Sequence, residues 1–398
     1  MKLISKEVDY KSPGPGTTAY QIACYTQPAG VEKMRLRYLE LRDDIYDCGL
    51  RSFSHDNGRT WPESRPYIMS EKKPHGMLRR MEDAGFIDPV NGRLVNMVIE
   101  GVLPSDTPLD GMKTWYLKYT VSEDGGRTTL VEDLVMQKGC TPEHPLECVW
   151  VGKNAVMKGT ESAMVRAPQG HLVLATMLSP VGPDGEYYNP GGGYTWTEVL
   201  ILFGKWQRDG RIEWELGPRV AVDPSRSTRG LCEPTLALMP DGRILMVMRG
   251  SNDAKPQLPG HKWHSVSSDG GRTWTEPQPW HYSDGSPFFS PSSLSQLMRH
   301  SSGRYYWVGN ICKQNPRGNS PRYPLVVGEV DAKGLMLVKA SVTVVDDRDP
   351  AERPDLCLSN FVIHDDRETG DIVIYMTRFN LNAADLYCGD GCIYRVRP

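Results

Sequence analysis

The sequence predicts an all-β chain: a single six-bladed β-propeller domain of four-stranded antiparallel blades, spanning residues 1–398. Three observations carry this expectation. Glycine-centred turns between alternating apolar stretches recur six times along the chain. A longer turn pattern recurs three times, each time late in that repeat. Gly (39) and Pro (31) are abundant, as many short strands joined by tight turns require.

The first turn, QPAG, centres on Gly30. The others are VNGRLVNMV (Gly92), APQGHLVLA (Gly170), MPDGRILMV (Gly242), HSSGRYYWV (Gly303) and RETGDIVIY (Gly370). They are 61 to 78 residues apart, room for four strands and their connections, and such a period marks a repeat architecture. Alternation such as Ile244, Met246, Met248 speaks for strands rather than helices. The longer pattern reads Ser-x-Asp-x-Gly-x-Thr-Trp: Ser54 to Trp61, Ser122 to Thr128 with Thr129 in place of Trp, and Ser267 to Trp274. Its Asp can accept hydrogen bonds from loop N–H groups, its Gly admits positive φ, and its indole packs between strands. Asp209-Gly210 and Asp331 to Gly334 look like degenerate copies. Segments 62–80, 140–160, 178–196 and 250–262 read as long connections between blades, where propellers commonly carry function.

Composition excludes several classes. Lys plus Arg (46) nearly balance Asp plus Glu (49), so there is no basic footprint for nucleic acid. No apolar run is long enough to span a bilayer. The N-terminus, MKLISKEVDYKSPGPG, lacks an apolar signal core, so a cytoplasmic protein with reduced thiols is expected. Nine cysteines show no framework spacing, and Cys388 and Cys392 lack a second ligand pair, so no metal is expected. Gly191 to Gly193 lacks the strand–helix context of a phosphate loop. No cofactor is implied. Oligomeric state is not legible.

Repeated Ser-x-Asp-x-Gly-x-Thr-Trp boxes on a six-fold pattern resemble the sialidase (neuraminidase) superfamily, over essentially the whole chain. The most informative stretch is Glu233-Pro-Thr-Leu-Ala-Leu-Met-Pro-Asp-Gly-Arg-Ile-Leu-Met-Val-Met-Arg249. It is similar to the sialidase segment in which a catalytic Glu precedes a carboxylate-binding Arg by sixteen residues. The resemblance implies that Arg322 is a further carboxylate-binding Arg, with Arg317 as a competitor. It also places the general acid/base Asp at Asp43 or Asp44, ahead of Asp47. Two positions depart from the family. Gln21 stands where the first-blade Arg is expected, and Leu358 stands about where the Tyr nucleophile is expected. The chain therefore resembles a sialidase relative that lacks the usual nucleophile.

A guanidinium pair suits a carboxylate, because each fork binds it in a bidentate manner. Glu233 opens an apolar strand, where an unpartnered carboxylate is costly. Glu161 precedes Gly170 by nine residues as Glu233 precedes Gly242, so both should face one axial cavity. Paired carboxylates are what glycoside hydrolysis needs. The expected function is an exo-glycoside hydrolase acting on a terminal, acidic sugar. The alternatives are a uronate lyase, with His264 or His75 as base, and a carbohydrate-binding propeller using the aromatic loop at 187–196.

Overall fold

Antiparallel strands dominate the described residues, 1–42, 44–82, 84–380 and 388–398 of the computed structural model. They pair in chain order into successive sheets. Four strands open the series: Thr18–Tyr25, Lys33–Arg42, Ile45–Ser54 and Glu63–Ile68. Four close it: Phe361–Asp365, Ile372–Phe379, Gly389–Arg397 and, outermost, the N-terminal Lys2–Tyr10. One parallel contact, Thr18 to Gly389, joins these two halves into a single eight-stranded sheet. The C-terminal strand thus pairs with the N-terminal one, as its position at the end of the last repeat suggests.

Four further sheets lie between, and two of them exceed four strands. In the second sheet, Gly76–Glu82 and Phe86–Ile87 both pair with Leu94–Leu103, and Ser70–Lys73 adds a hairpin. In the third, Ala155–Lys158 and Met164–Arg166 both pair with Leu172–Ser179. An inner strand is therefore split, and in the third sheet the interruption carries Glu161. The fourth and fifth sheets have four strands each, beginning with Cys232–Leu238 and Gln296–Arg299. Segment 62–80, read from sequence as a loop, instead contains Glu63–Ile68 and Ser70–Lys73. Its charged, Pro-containing strands sit at edges and lack the apolar alternation that reveals a half-buried strand.

Apolar side chains are buried between consecutive sheets. One cluster joins the second and third sheets through Leu117, Tyr119, Leu202 and Trp214. Another joins the third and fourth through Ile201, Phe203, Met246 and Trp263. Trp280 and Trp307, 5.5 Å apart edge to face, lie between the fourth and fifth. Ala23 meets Val373, Tyr375 and Ile393 where the closing half packs on the opening half. This alternation of faces explains the period-two pattern: each strand serves two neighbouring interfaces.

The three long turns share one hydrogen-bond set. Asp56 accepts Thr60 N (2.8 Å) and Thr60 Oγ1 (2.6 Å), while Ser54 Oγ accepts Gly58 N at 2.9 Å. Asp124 and Asp269 repeat it with Thr128 and Thr273. Gly58 has φ +84°, a region closed to most side chains. Trp61 and Trp274 donate their indole N–H to the turn glycine carbonyl. No helix among the described residues is long and apolar enough to cross a membrane.

Candidate functional site

The site is built where two inner strands lose their regular pairing. In the fourth sheet Cys232 pairs with Arg249, then the register shifts before Thr235 meets Val247. Pro234 has no N–H to continue the ladder, and Glu233 takes a positive φ of 46°. A bulge of this kind re-aims a side chain, and left-handed backbone at a glutamate is a local strain concentrated at functional positions. The interrupted strand of the third sheet is fastened to this bulge. Thr160 N and Oγ1 both donate to Pro234 O, at 3.2 and 3.0 Å, and Leu236 N donates to Ser162 O at 2.7 Å. Glu161 lies between those two anchors and is thereby brought beside Glu233.

Glu233 Oε1 accepts from Arg249 Nη1, and its Oε2 is buried without a hydrogen-bond partner. The rest of the Arg249 fork is committed: Nε donates to Ser292 Oγ at 2.8 Å and Nη2 to Asn319 Oδ1 at 3.1 Å. Arg322 reaches the same serine, its Nη2 donating to Ser292 O at 3.1 Å and its Nη1 to Cys357 Sγ at 3.5 Å. Its Nε is buried and unpartnered. Across from these, Glu161 Oε2 accepts Gln296 Nε2 at 2.5 Å, and Gln296 also donates to Phe361 O at 2.7 Å.

Electrostatics separate the two glutamates. Burial alone would push the Glu233 carboxyl up, but Arg249, Arg322, Lys262 and Arg229 outweigh it and hold it below the usual range. Glu161 moves the other way. Burial raises it against the opposing charge of Lys158, and the Glu233 charge adds to the rise. Two carboxyls pushed apart in this manner are the arrangement from which an acid and its ionised partner are made.

Asp44 sits at the tip of the hairpin joining Lys33–Arg42 and Ile45–Ser54, with φ 50°, its N–H donating to Glu40 Oε1 at 2.8 Å. Burial alone would lower the Arg249 guanidinium, but Glu233 and Cys232, with a smaller contribution from the Asp44 charge, raise it. Asp43 lies outside the described residues. Beside Asp44 stand Tyr20, Tyr38 and Tyr46, whose rings meet 4.6–6.3 Å apart. Burial first, then the Glu40 charge, pushes all three phenols up. None is prepared to ionise. Leu358 is fully buried in the core, so no hydroxyl stands at that position.

Three expected members are not in the cluster. Gln21 Oε1 accepts Arg37 Nε at 3.2 Å, and Arg37 is held by Asp9. Cross-strand pairing of Gln21 with Arg37 puts both on the face turned to the N-terminal strand, away from Arg249. His264 lies on Lys262–Ser267, two strands outward from the inner edge, its Nδ1 3.1 Å from Gln278 O. His75 is exposed at the tip of the Ser70–Lys73 hairpin. The histidine bases that a lyase would use are therefore absent from the cluster. Arg317 makes backbone bonds with Ser320, whereas the Arg322 guanidinium bonds Ser292, which also binds Arg249.

Sequence reasoning missed Ser292, Asn319, Gln296, Arg229 and Lys262. Only Lys262 carried a hint, as a charge opening an apolar strand. Among the described residues no group of three His, Cys, Asp or Glu side chains could hold a metal ion.

Residues 86–340 match the BNR repeat-like domain model. No curated protein matches the chain in sequence. Among solved structures, a variant of the NanB sialidase from Streptococcus pneumoniae is 12% identical, with TM-score 0.61, over 99% of this chain and 70% of that one. The intramolecular trans-sialidase from Ruminococcus gnavus is 12% identical, with TM-score 0.60, over 98% and 97%. An α-L-arabinanase from Penicillium chrysogenum, complexed with arabinobiose, is 13% identical, with TM-score 0.56, over 100% and 98%. At these identities the structural likeness speaks for the fold alone. The family match spans well over half of the residues, and the chain belongs to the BNR repeat-like domain family.

Proposed function

We propose that the successive sheets are the six blades of one propeller domain and that the chain is a glycoside hydrolase acting on a terminal, acidic sugar. Consecutive face-to-face packing, returning from the closing half to the opening half, supports the first part. The observation that carries the second is the Glu161–Glu233 pair, adjacent by construction and shifted in opposite directions. Glu161 keeps its proton and donates it to the departing glycosidic oxygen. Glu233 stays ionised and stabilises the positive charge that develops at the anomeric carbon, and water then bonds to that carbon and gives up a proton that restores Glu161. Arg249, Arg322 and Arg229 outnumber the ionised Glu233, and that excess suits an anionic substituent on the sugar. The likeness in fold to sialidases and an arabinanase is in keeping with a glycosidase reading.

The test is a panel of 4-methylumbelliferyl glycosides comprising an α-sialoside, a β-glucuronide, an α-galacturonide and an α-L-arabinofuranoside. The expected result is turnover of one acidic member, lost in both Glu161→Gln and Glu233→Gln with folding retained. Equal turnover by wild type and both variants would overturn the reading.

A further inference from the structure

The residue with the least explained position is Lys262. It is fully buried, and strand pairing sets it directly opposite Arg249, so two cations emerge side by side from one sheet face. Like charges in such a pair are destabilising, and burying an ammonium adds a desolvation cost. What offsets this is a strap at residues 291–293. Lys262 Nζ donates to Ser293 O and lies 3.5 Å from both Pro291 O and Ser293 Oγ. The residue between those carbonyls is Ser292, whose hydroxyl accepts Arg249 Nε and whose carbonyl accepts Arg322 Nη2. Ser290 N to Gly260 O (3.0 Å) and Ser292 N to Gly318 O (2.8 Å) hold the strap in place.

We propose that Lys262 is a positioning residue: its ammonium clamps the 291–293 strap from beneath, and the strap in turn orients both the Arg249 and the Arg322 guanidinium. A neutral apolar side chain of the same length would fill the space but take the donor from the Ser293 carbonyl and leave the Pro291 carbonyl only the Ser293 hydroxyl. The strap would then be free to rotate its Ser292 hydroxyl and carbonyl away from the arginines. Burial, and next the Arg249 charge, lowers the Lys262 ammonium to about 7, which fits a group crowded by Arg249 and Arg322 and relieved by Glu233. The consequence for turnover rests on the glycosidase reading, whereas the consequence for the arginines does not.

The experiment therefore reads the arginines directly. Hydrogen exchange at each arginine Nε–H is followed in 15N-labelled full-length protein, for wild type, Lys262→Met, Lys262→Gln and Ser292→Ala. The expected result is exchange at Arg249 Nε–H about ten-fold faster in Lys262→Met, with Arg378, held by Asp346 and Glu352 in the closing half, unchanged. Lys262→Gln, which restores a shorter donor, should recover part of the protection. Ser292→Ala should free Arg249 equally, and combining it with Lys262→Met should add nothing. Unchanged Arg249 exchange in folded Lys262→Met, exchange in Lys262→Gln as fast as or faster than in Lys262→Met, or additive effects of Lys262→Met and Ser292→Ala, would refute the proposal. On a hydrolysed glycoside, KM should rise about ten-fold in Lys262→Met while kcat changes less. Altered exchange without hydrolysis of any glycoside would leave the positioning role standing and remove the glycosidase reading.

Discussion

Replacing each glutamate by glutamine should separate the pair by stability as well as by activity. Glu233 is ionised and bound to Arg249, with side-chain exposures of 21% and 8%. Glu233→Gln keeps the shape and one acceptor but removes the ionised partner nearest to four cations. A hydrogen bond to a charged group contributes about 1.5–3 kcal/mol, so a loss of about 2 kcal/mol is expected. Unfolding entropy of ~2.1 cal/mol/K per residue gives a chain of this length on the order of 0.8 kcal/mol/K. The melting temperature should therefore fall by about 2–3 °C.

Glu161 behaves differently, because burial, joined by the Glu233 charge, raises its carboxyl above the ordinary range against Lys158. For such a group the unfolded chain ionises first, so native stability declines as pH rises from the unfolded value to the folded one. Glu161→Gln removes that decline and should leave the melting temperature at pH 7 unchanged or slightly higher. Differential scanning fluorimetry at pH 5 and pH 7 reads both variants. A fall in Glu161→Gln as large as that in Glu233→Gln would refute the opposite ionisation states and, with them, the assignment of acid and ionised partner.

Asp269→Ala removes the acceptor for Thr273 N and Oγ1 and should cost about 1–3 kcal/mol, with kcat unchanged because the turn is remote from Glu233. Thermal melts and steady-state rates check this together. Asp366 contributes to acid sensitivity. Burial would raise it, but the N–H groups of Glu368 and Thr369, Asn57 and Lys33 hold it at about 2. A depressed carboxyl stabilises above its unfolded value, and that stabilisation is lost as pH falls through about 2. Asp366→Asn should thus flatten the melting profile between pH 5 and pH 2.5, by about 1–2 kcal/mol. An unchanged slope would show that the carboxylate is not coupled to folding. Tyr194 is 55% exposed, with the Arg229 guanidinium 5.5 Å from its ring centre. Tyr194→Ala should raise KM several-fold on an oligosaccharide and little on an aryl monosaccharide, if its ring stacks a second sugar.

Some of this was readable directly from residue order. Strand alternation and glycine turns follow from backbone sterics and solvent, which act locally, so the all-β fold and the repeated turns are visible in a single chain. The Glu233-to-Arg249 spacing was visible for the same reason: one bulged hairpin determines it. The equal offset of Glu161 and Glu233 from their glycines likewise anticipated their shared location.

What the tertiary structure decided is everything that depends on one sheet facing another. Gln21 has the right position in its repeat, yet pairing with Arg37 turns it to the seam with the N-terminal strand. His264 lies near Arg249 in the chain, but it sits on the next strand outward, opposite Val247 rather than opposite Arg249. Ser292 and Gln296 belong to other loops and strands, and only packing brings them to the glutamates, whereas pairing within the fourth sheet sets Lys262 opposite Arg249. The charge states of Glu161 and Glu233 are of this kind too. Identical side chains at equivalent offsets acquire opposite tendencies because desolvation and neighbouring cations are summed over space, not along the chain.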